Sequence, residues 1–333
     1  MQRRQFIALI SGGALLPWPP AHAQQPERRP TIGYLGAHSA ASQRRWTEAF
    51  VQRLNELGWV DGENVTIVYR WAEGRMERHA ELAAEFARSK PDVIVTAGAA
   101  AVATRKATSV VPIVFAVSGD PVGTGLVGSL ERPGGNATGL SAQATDLTGA
   151  RIDLLRELVP GLRGLAILGN IANPTTVHEM AGAQEAARRL GLEFTTAEFR
   201  TAEDIAPAFA TFKGRADALY VCTEPTAYTN RARINTLARE ARLPGIFGLR
   251  EFVEAGGLMS YGADVKDLYR RSAEYVDKIL RGASPADIPV GRPNRFSLVV
   301  NLTTANALGL ALPEPFLRRA DELIDETALA NPH

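Results

Sequence analysis

One structural programme is written twice along this chain. Thr31-Ile32-Gly33-Tyr34-Leu35 has the pattern of a buried strand. Trp46, Phe50, Leu54 and Leu57 then recur at helical spacing, and Gly58 follows as a stop. Val65 to Tyr69 reads as the next strand, Leu82 and Phe86 as the apolar face of a second helix, and Val93-Ile94-Val95 as a third strand. An alanine-rich helix from Ala99 to Ala107 leads to a fourth strand, Val110 to Val117. The order restarts at Leu165-Ala166-Ile167-Leu168, with a helix ending at Leu190-Gly191, a strand near Glu193 to Thr196 and a helix around Ile205 to Phe212. Strands over 216–220 and 243–247 complete it. Landmarks recur at offsets of 133 (Ile32/Leu165 and Gly58/Gly191), 125 (Asp92/Asp217) and 132 (Pro112/Pro244). Alternating strands and helices predict parallel sheets covered by helices. The near-constant offset predicts an α/β protein of two similar lobes, each a parallel sheet flanked by helices.

The ends and the composition narrow the class. Arg3 and Arg4, the apolar run Phe6 to Leu16 and Ala21-His22-Ala23 have the three-part layout of a secretory signal, with cleavage expected after Ala23. Arg3-Arg4-Gln5-Phe6-Ile7 fits a twin-arginine signal as well as an ordinary Sec signal. The run is shorter than the roughly 18–20 residues of a membrane span. No lipid-bearing cysteine stands at the cleavage site, so a periplasmic protein that is not a lipoprotein is expected. The single Cys222 excludes an intramolecular disulfide and two-cysteine metal motifs, and its setting in Ala218-Leu219-Tyr220-Val221-Cys222 reads as a core position. Removing 23 of 333 residues leaves 310, more than one average core. With 37 basic against 36 acidic residues, no nucleic-acid partner is expected.

Past the second unit the chain continues with a strand over Gly256–Gly262, a helix from Val265 to Leu280 and a strand from Phe296 to Asn301. These read as further passes between the lobes. Residues 30–140 with about 256–285 are assigned to one lobe, and 141–255 with about 286–328 to the other. Pro133 to Ser141 reads as the first crossing, and a multi-strand hinge is expected. A cleft between lobes joined in this way closes around a ligand.

Several stretches carry a family resemblance. They include Leu54-Asn55-Glu56-Leu57-Gly58-Trp59-Val60-Asp61-Gly62, Gly119-Asp120-Pro121-Val122-Gly123-Thr124-Gly125-Leu126 and Arg132-Pro133-Gly134-Gly135-Asn136-Ala137-Thr138-Gly139. Glu254-Ala255-Gly256-Gly257-Leu258-Met259-Ser260-Tyr261-Gly262 and Tyr275-Val276-Asp277-Lys278-Ile279-Leu280-Arg281-Gly282 extend them. In these the chain resembles ABC-transporter substrate-binding proteins of the tryptophan/tyrosine-binding type, over nearly all of the mature length. The resemblance implies a type I periplasmic-binding-protein fold, with two Rossmann-like lobes and a three-stranded hinge. It also implies capture of a small molecule, such as an amino acid or related compound with an aromatic variant among the choices, for an ABC permease in the inner membrane. A monomer is expected. A ligand-sensing subunit for a membrane signalling protein is the alternative.

Ligands of open α/β sheets sit beyond the carboxyl ends of strands. That rule selects His38, Ser39, Gly98, Ala99, Ala100, Ser118 and Asp120 in the first lobe. In the second it selects Asn170, Asn173, Thr223, Glu224 and Gly248, with Tyr261 and Asp264 at the late crossing. A zwitterionic ligand needs an anion for its ammonium, from Asp120, Glu224 or Asp264, and oriented N–H donors for its carboxylate, from helix N-termini. Each acid has a structural alternative: Asp120 as cap of a helix starting at Pro121, Glu224 as a turn before Pro225, Asp264 as N-cap of the 265 helix. Tyr261 suits a ligand stack or a core, His38 the cleft or an exposed loop, and Gly98 a ligand approach or a turn. Catalytic readings find no support. Gly123-Thr124-Gly125 lacks the full dinucleotide fingerprint, no phosphate-binding Gly-Lys loop or Gly-x-Ser-x-Gly elbow is present, and His38, His79 and His178 are too scattered for a metal motif. No cofactor, metal or catalytic residue is therefore expected, and a secreted enzyme is the weakest reading.

Overall fold

The computed structural model describes residues 28–325; the expected signal segment lies outside them. The first sheet is built from β1 (Thr31–Gly36), β2 (Thr66–Trp71), β3 (Val93–Ala97), β4 (Ile113–Ser118) and β5 (Ala137–Ser141), all parallel, in the order β2-β1-β3-β4-β5. Its helices are α1 (Ala40–Glu56), α2 (Glu77–Ser89) and α3 (Gly98–Ala107). The second sheet begins with β6 (Gly164–Asn170), β7 (Glu193–Phe199), β8 (Ala218–Val221), β9 (Gly245–Phe247) and β10 (Met259–Ala263). It is completed by β11 (Phe296–Asn301) and β12 (Glu322–Ile324). Its order is β12-β11-β10-β9-β8-β6-β7, parallel except between β10 and β11. The accompanying helices are α4 (Thr148–Leu158), α5 (Pro174–Arg189), α6 (Ile205–Ala210), α7 (Pro225–Thr229), α8 (Arg231–Glu240) and α9 (Arg250–Glu254). After these come α10 (Val265–Leu280), α11 (Leu302–Ala307) and α12 (Glu314–Leu317).

The five strands β7-β6-β8-β9-β10 repeat the order β2-β1-β3-β4-β5, and the hydrogen bonds repeat with them. Asp92 and Asp217 each accept at Oδ2 from the first residue of a neighbouring strand, Thr31 N at 2.7 Å and Gly164 N at 2.9 Å. Trp59 N donates to Leu54 O and Leu192 N to Ala187 O, both at 2.9 Å, where Gly58 (φ 92°) and Gly191 (φ 70°) end their helices. The repeat therefore has a physical content at each landmark.

The duplication also explains two departures from the expected boundaries. The strand over 259–263, assigned from sequence to the first lobe, is the fifth strand of the second sheet and the counterpart of β5. Residues 137–141, read as a crossing, are β5 itself, paired to β4. The crossings come just after these strands. Past β5 the chain enters α4, which packs on α5; past β10 it enters α10, which packs on α1, β4 and β5. A third pass, between Gly291 and β11, is tied to the first through Ser141 N donating to Gly291 O at 2.9 Å. Helix α10 covers the first sheet because Val265, Leu268, Tyr269, Ser272, Ala273, Val276 and Ile279 fall on one buried stripe. The fourth strand starts at Ile113 rather than Val110. Val110 is 83% exposed, in a turn where Thr108 Oγ1 accepts from Val110 N and Val111 N.

Candidate functional site

The carboxyl ends of the two sheets enclose a cleft, lined from the first sheet by residues after β1, β3 and β4 and from the second by residues after β6, β8 and β9. Its cavity of about 110 Å³ is of the order of the roughly 150 Å³ apolar cavity that holds a benzene molecule.

One end is aromatic. The Trp46 ring stacks on Tyr269 at 5.6 Å and lies 5.1 Å from Tyr228, which sits 4.5 Å from His38. Trp46 and Tyr269 belong to α1 and α10, Tyr228 to α7, so both lobes build this wall. Buried Gln43 holds the first-lobe side in place: its Oε1 accepts from His38 N at 2.9 Å and its Nε2 donates to Tyr269 Oη at 3.1 Å. Burial pulls the His38 imidazole down to about 3, with His79 and Arg231 adding to it, so the ring is neutral.

The rest of the lining is largely apolar, with Val117, Ala142, Ala144 and Leu249 among it, and a few polar groups are set into it. Ala97 precedes α3 without a side-chain cap, and Gly98 (φ 54°) has open space where a Cβ would stand. The first N–H groups of α3 are thus offered to the cleft. Glu224 is 4% exposed; it accepts from Asn170 Nδ2 at 3.1 Å and from Ala227 N at the start of α7. Burial pushes its carboxyl up to about 7, against these donors. Deeper in the second lobe, Arg151 Nη1 pairs with Glu179 Oε1 at 2.8 Å, and Glu179 also accepts from Tyr220 Oη and Thr223 N, both at 2.9 Å. Arg151 Nε donates to Tyr261 O at 2.7 Å. Burial works to raise the Glu179 carboxyl, and the guanidinium is the main force opposing it. Thr175 Oγ1, Thr223 Oγ1 and His38 Nδ1 are buried at or beside the cleft without a hydrogen-bond partner among the described residues.

Of the residues selected from sequence, His38, Gly98, Ala99, Asn173, Thr223, Glu224 and Gly248 line this cleft. Asn170 stands behind it, orienting Glu224. The others have local duties. Ser39 caps α1 by accepting from Ser42 N at 3.2 Å, and Ala100 is packed in the first lobe's core. Ser118 is buried at the end of β4. No helix follows Pro121; Asp120 Oδ1 accepts from Gly123 N at 2.7 Å and ties a turn. Tyr261 packs in the second core, its ring 6.0 Å from Phe296, and Asp264 caps α10 through Asp267 N at 3.1 Å. The strand-end rule missed Trp46, Tyr228, Tyr269, Arg151, Glu179 and Thr175, all of which reach the cleft from helices.

The lobes are in contact across the cleft. Trp46 Nε1 donates to Glu251 Oε1 at 3.2 Å, Arg45 pairs with Glu254 at 3.1 Å, and Tyr228 Oη donates to Ser42 O at 3.3 Å. A β-carbon on Gly119 would stand 3.0 Å from Thr175 Cγ2.

Two duplicated α/β lobes, closed on a cavity between their strand ends, define a binding protein of the type I periplasmic class. The chain belongs to the ABC transporter substrate binding protein family, whose family model matches residues 38–324. It is similar to the Tyrosine-binding protein of Clostridioides difficile (strain R20291), 28% identical over 265 residues, covering 79% of this chain and 76% of that protein. An ABC domain from Streptococcus pneumonia, solved in complex with L-Trp, has a TM-score of 0.82 at 26% identity, covering 89% of this chain and 100% of its own. The ligand-free, open structure of a substrate binding protein with adhesive properties from Clostridium difficile reaches 0.64 at 26% identity, covering 89% and 99%. At equal identity the chain superposes better on the ligand-bound relative than on the open one, as the contacts across the cleft require.

Proposed function

We propose that this protein is exported to the periplasm, captures an aromatic amino acid between its lobes and delivers it to an ABC permease in the inner membrane. The lobes comprise residues 28–141 with 265–291, and 142–264 with 292–325. The observation that carries the reading is the pairing, in one cleft, of an aromatic wall with a buried carboxylate and an uncapped helix start. An α-amino acid needs those three things: a surface for its ring, an anion for its ammonium and N–H donors for its carboxylate. Glu224 is the ammonium partner, and a cation beside it draws its carboxyl back to the ionised form. The start of α3 receives the carboxylate. The tyrosine-binding and L-Trp-bound relatives support the ligand class.

Calorimetry with tryptophan, tyrosine and their deaminated analogues tests this. Glu224→Gln is expected to weaken the amino acids by about 1.5–3 kcal/mol while leaving indole-3-propionate, which has no ammonium, nearly unaffected. Equal losses for both would remove Glu224 from the role. Asp120→Ala, whose carboxylate is committed to its own turn, is expected to bind as the parent does. Absence of binding by all aromatic amino acids would overturn the ligand class.

A further inference from the structure

The aromatic wall has one member that an apolar ring alone would not satisfy. His38 is 7% exposed, lines the cavity, and carries a buried Nδ1 without a partner among the described residues. The residue is fixed on both sides: its backbone N–H is bound by Gln43, and its ring is held between Tyr228 at 4.5 Å and Trp46 at 5.9 Å. Among the described residues no acidic side chain is hydrogen-bonded to it, and the charged or titratable neighbours that act on it are His79 of α2 and Arg231 of α8. A neutral imidazole has one N–H and one bare nitrogen, and leaving such a group buried and unpaired is costly.

Resting on the aromatic amino-acid reading above, we infer that His38 sets the choice among aromatic ligands by hydrogen-bonding a polar group on the ligand ring, the indole N–H or the phenol O–H. His38, Gly98, Ala99 and Glu224 line the same cleft, and that shared lining is the basis of the orientation. With the ligand's ammonium and carboxylate at Glu224 and the start of α3, its ring is directed to the wall that contains His38. A site that offers a hydrogen bond to a ring substituent rejects the analogue lacking it, because its own polar group is then stranded. Phenylalanine fits the same space and cannot satisfy the imidazole.

The test is the selectivity ratio, measured by calorimetry at pH 7.5 with tryptophan, tyrosine and phenylalanine. The parent protein is expected to favour tryptophan or tyrosine over phenylalanine by about ten- to a hundredfold. His38→Phe is expected to collapse that ratio to within about threefold while phenylalanine affinity is kept or improved. His38→Gln, which retains a donor and an acceptor, is expected to restore part of the preference. A purely structural role for His38 lowers all three affinities together. That outcome overturns the inference, as does a parent protein that binds phenylalanine as tightly as tyrosine. If the parent binds none of the three, the ligand class fails and this inference falls with it. If it binds them with a preference that survives in His38→Phe, only this inference fails.

Discussion

Arg151 and Glu179 have side chains 3% and 1% exposed, and such a pair is held by geometry rather than by net profit. Desolvating two ions costs about as much as their attraction returns, so the acceptors and donors around them matter: Tyr220, Thr223 and Tyr261 complete the set. Glu179→Ala leaves the guanidinium buried without its counter-ion and is expected to cost about 3–5 kcal/mol in urea unfolding. The double variant Arg151→Met/Glu179→Met should cost less than that single change. Glu224 gives a pH signature of its own. Its folded value of about 7 lies above the ordinary 4.5, so above pH 7 the buried charge is fully unfavourable to the fold. As pH falls from 7 to 4.5 the folded form takes up a proton that the unfolded form does not, and stability rises. Below 4.5 both forms are protonated and nothing is lost. The stability difference between the parent and Glu224→Gln should therefore move in the parent's favour as pH falls through that window, by on the order of 3 kcal/mol; a flat difference would mean a hydrated carboxylate. His38 acts with the opposite sign, but in both proteins, and cancels. Glu224 was legible in the sequence because a carboxylate beyond a strand end is conspicuous. Arg151 was not, because a charged residue on a helix is ordinarily solvated.

At the level of elements, periodicity was most readable where one face alone is buried. The stripe of α10 marks both its ends, from Val265 to Leu280. The fifth strands were harder. Ala137-Thr138-Gly139-Leu140-Ser141 and Met259-Ser260-Tyr261-Gly262-Ala263 are short and glycine-bearing, a composition shared by connections. Their glycines serve close approach of backbones rather than a bend. A β-carbon on Gly262 would overlap the carbonyl oxygen of Gly248, and one on Gly139 the carbonyl oxygen of Phe115. Neighbouring backbone cannot give way as a flexible side chain can. Gly262→Ala is accordingly expected to destabilise by about 1–3 kcal/mol and to disturb the ligand site as well, since Gly248 lines the cleft. Thermal unfolding read together with tyrosine affinity checks this, and a variant with unchanged Tm and affinity would show that β9 and β10 can part freely. The cleft's helix-borne wall escaped the strand-end rule because closure, rather than local sequence, brings α7 up to the packed pair α1 and α10.

Closure is a property of the whole chain, and one side chain joins its two halves in a way that can be followed. Trp46 stands on α1 of the first lobe and donates to Glu251 on α9 of the second, while Arg45 beside it pairs with Glu254. The other described tryptophans stay within the first lobe: Trp59 donates to Asp277 of α10 and Trp71 stacks on Tyr69. Three passes of chain near Ser141, Ala263 and Gly291 connect the lobes, so a hinge there separates Trp46 from Glu251 and hydrates the indole without disturbing either core. A ligand held by both lobes favours the closed state, and mass action then shifts the population toward it. Addition of tyrosine should therefore shrink the radius of gyration in solution scattering. It should also move tryptophan emission, excited beyond tyrosine absorption, toward that of a buried indole. Trp59→Phe should keep the emission change and Trp46→Phe should lose it. Glu251→Ala, which removes the acceptor but leaves the indole, should weaken affinity by about 5- to 30-fold, the loss of roughly 1–2 kcal/mol of closed-state bonding to a charged partner. Its lobes should unfold at nearly the parent's temperature, because the bond lies between them. If Glu251→Ala binds tyrosine as the parent does and scattering still contracts, the contact between Trp46 and Glu251 follows closure without contributing to it.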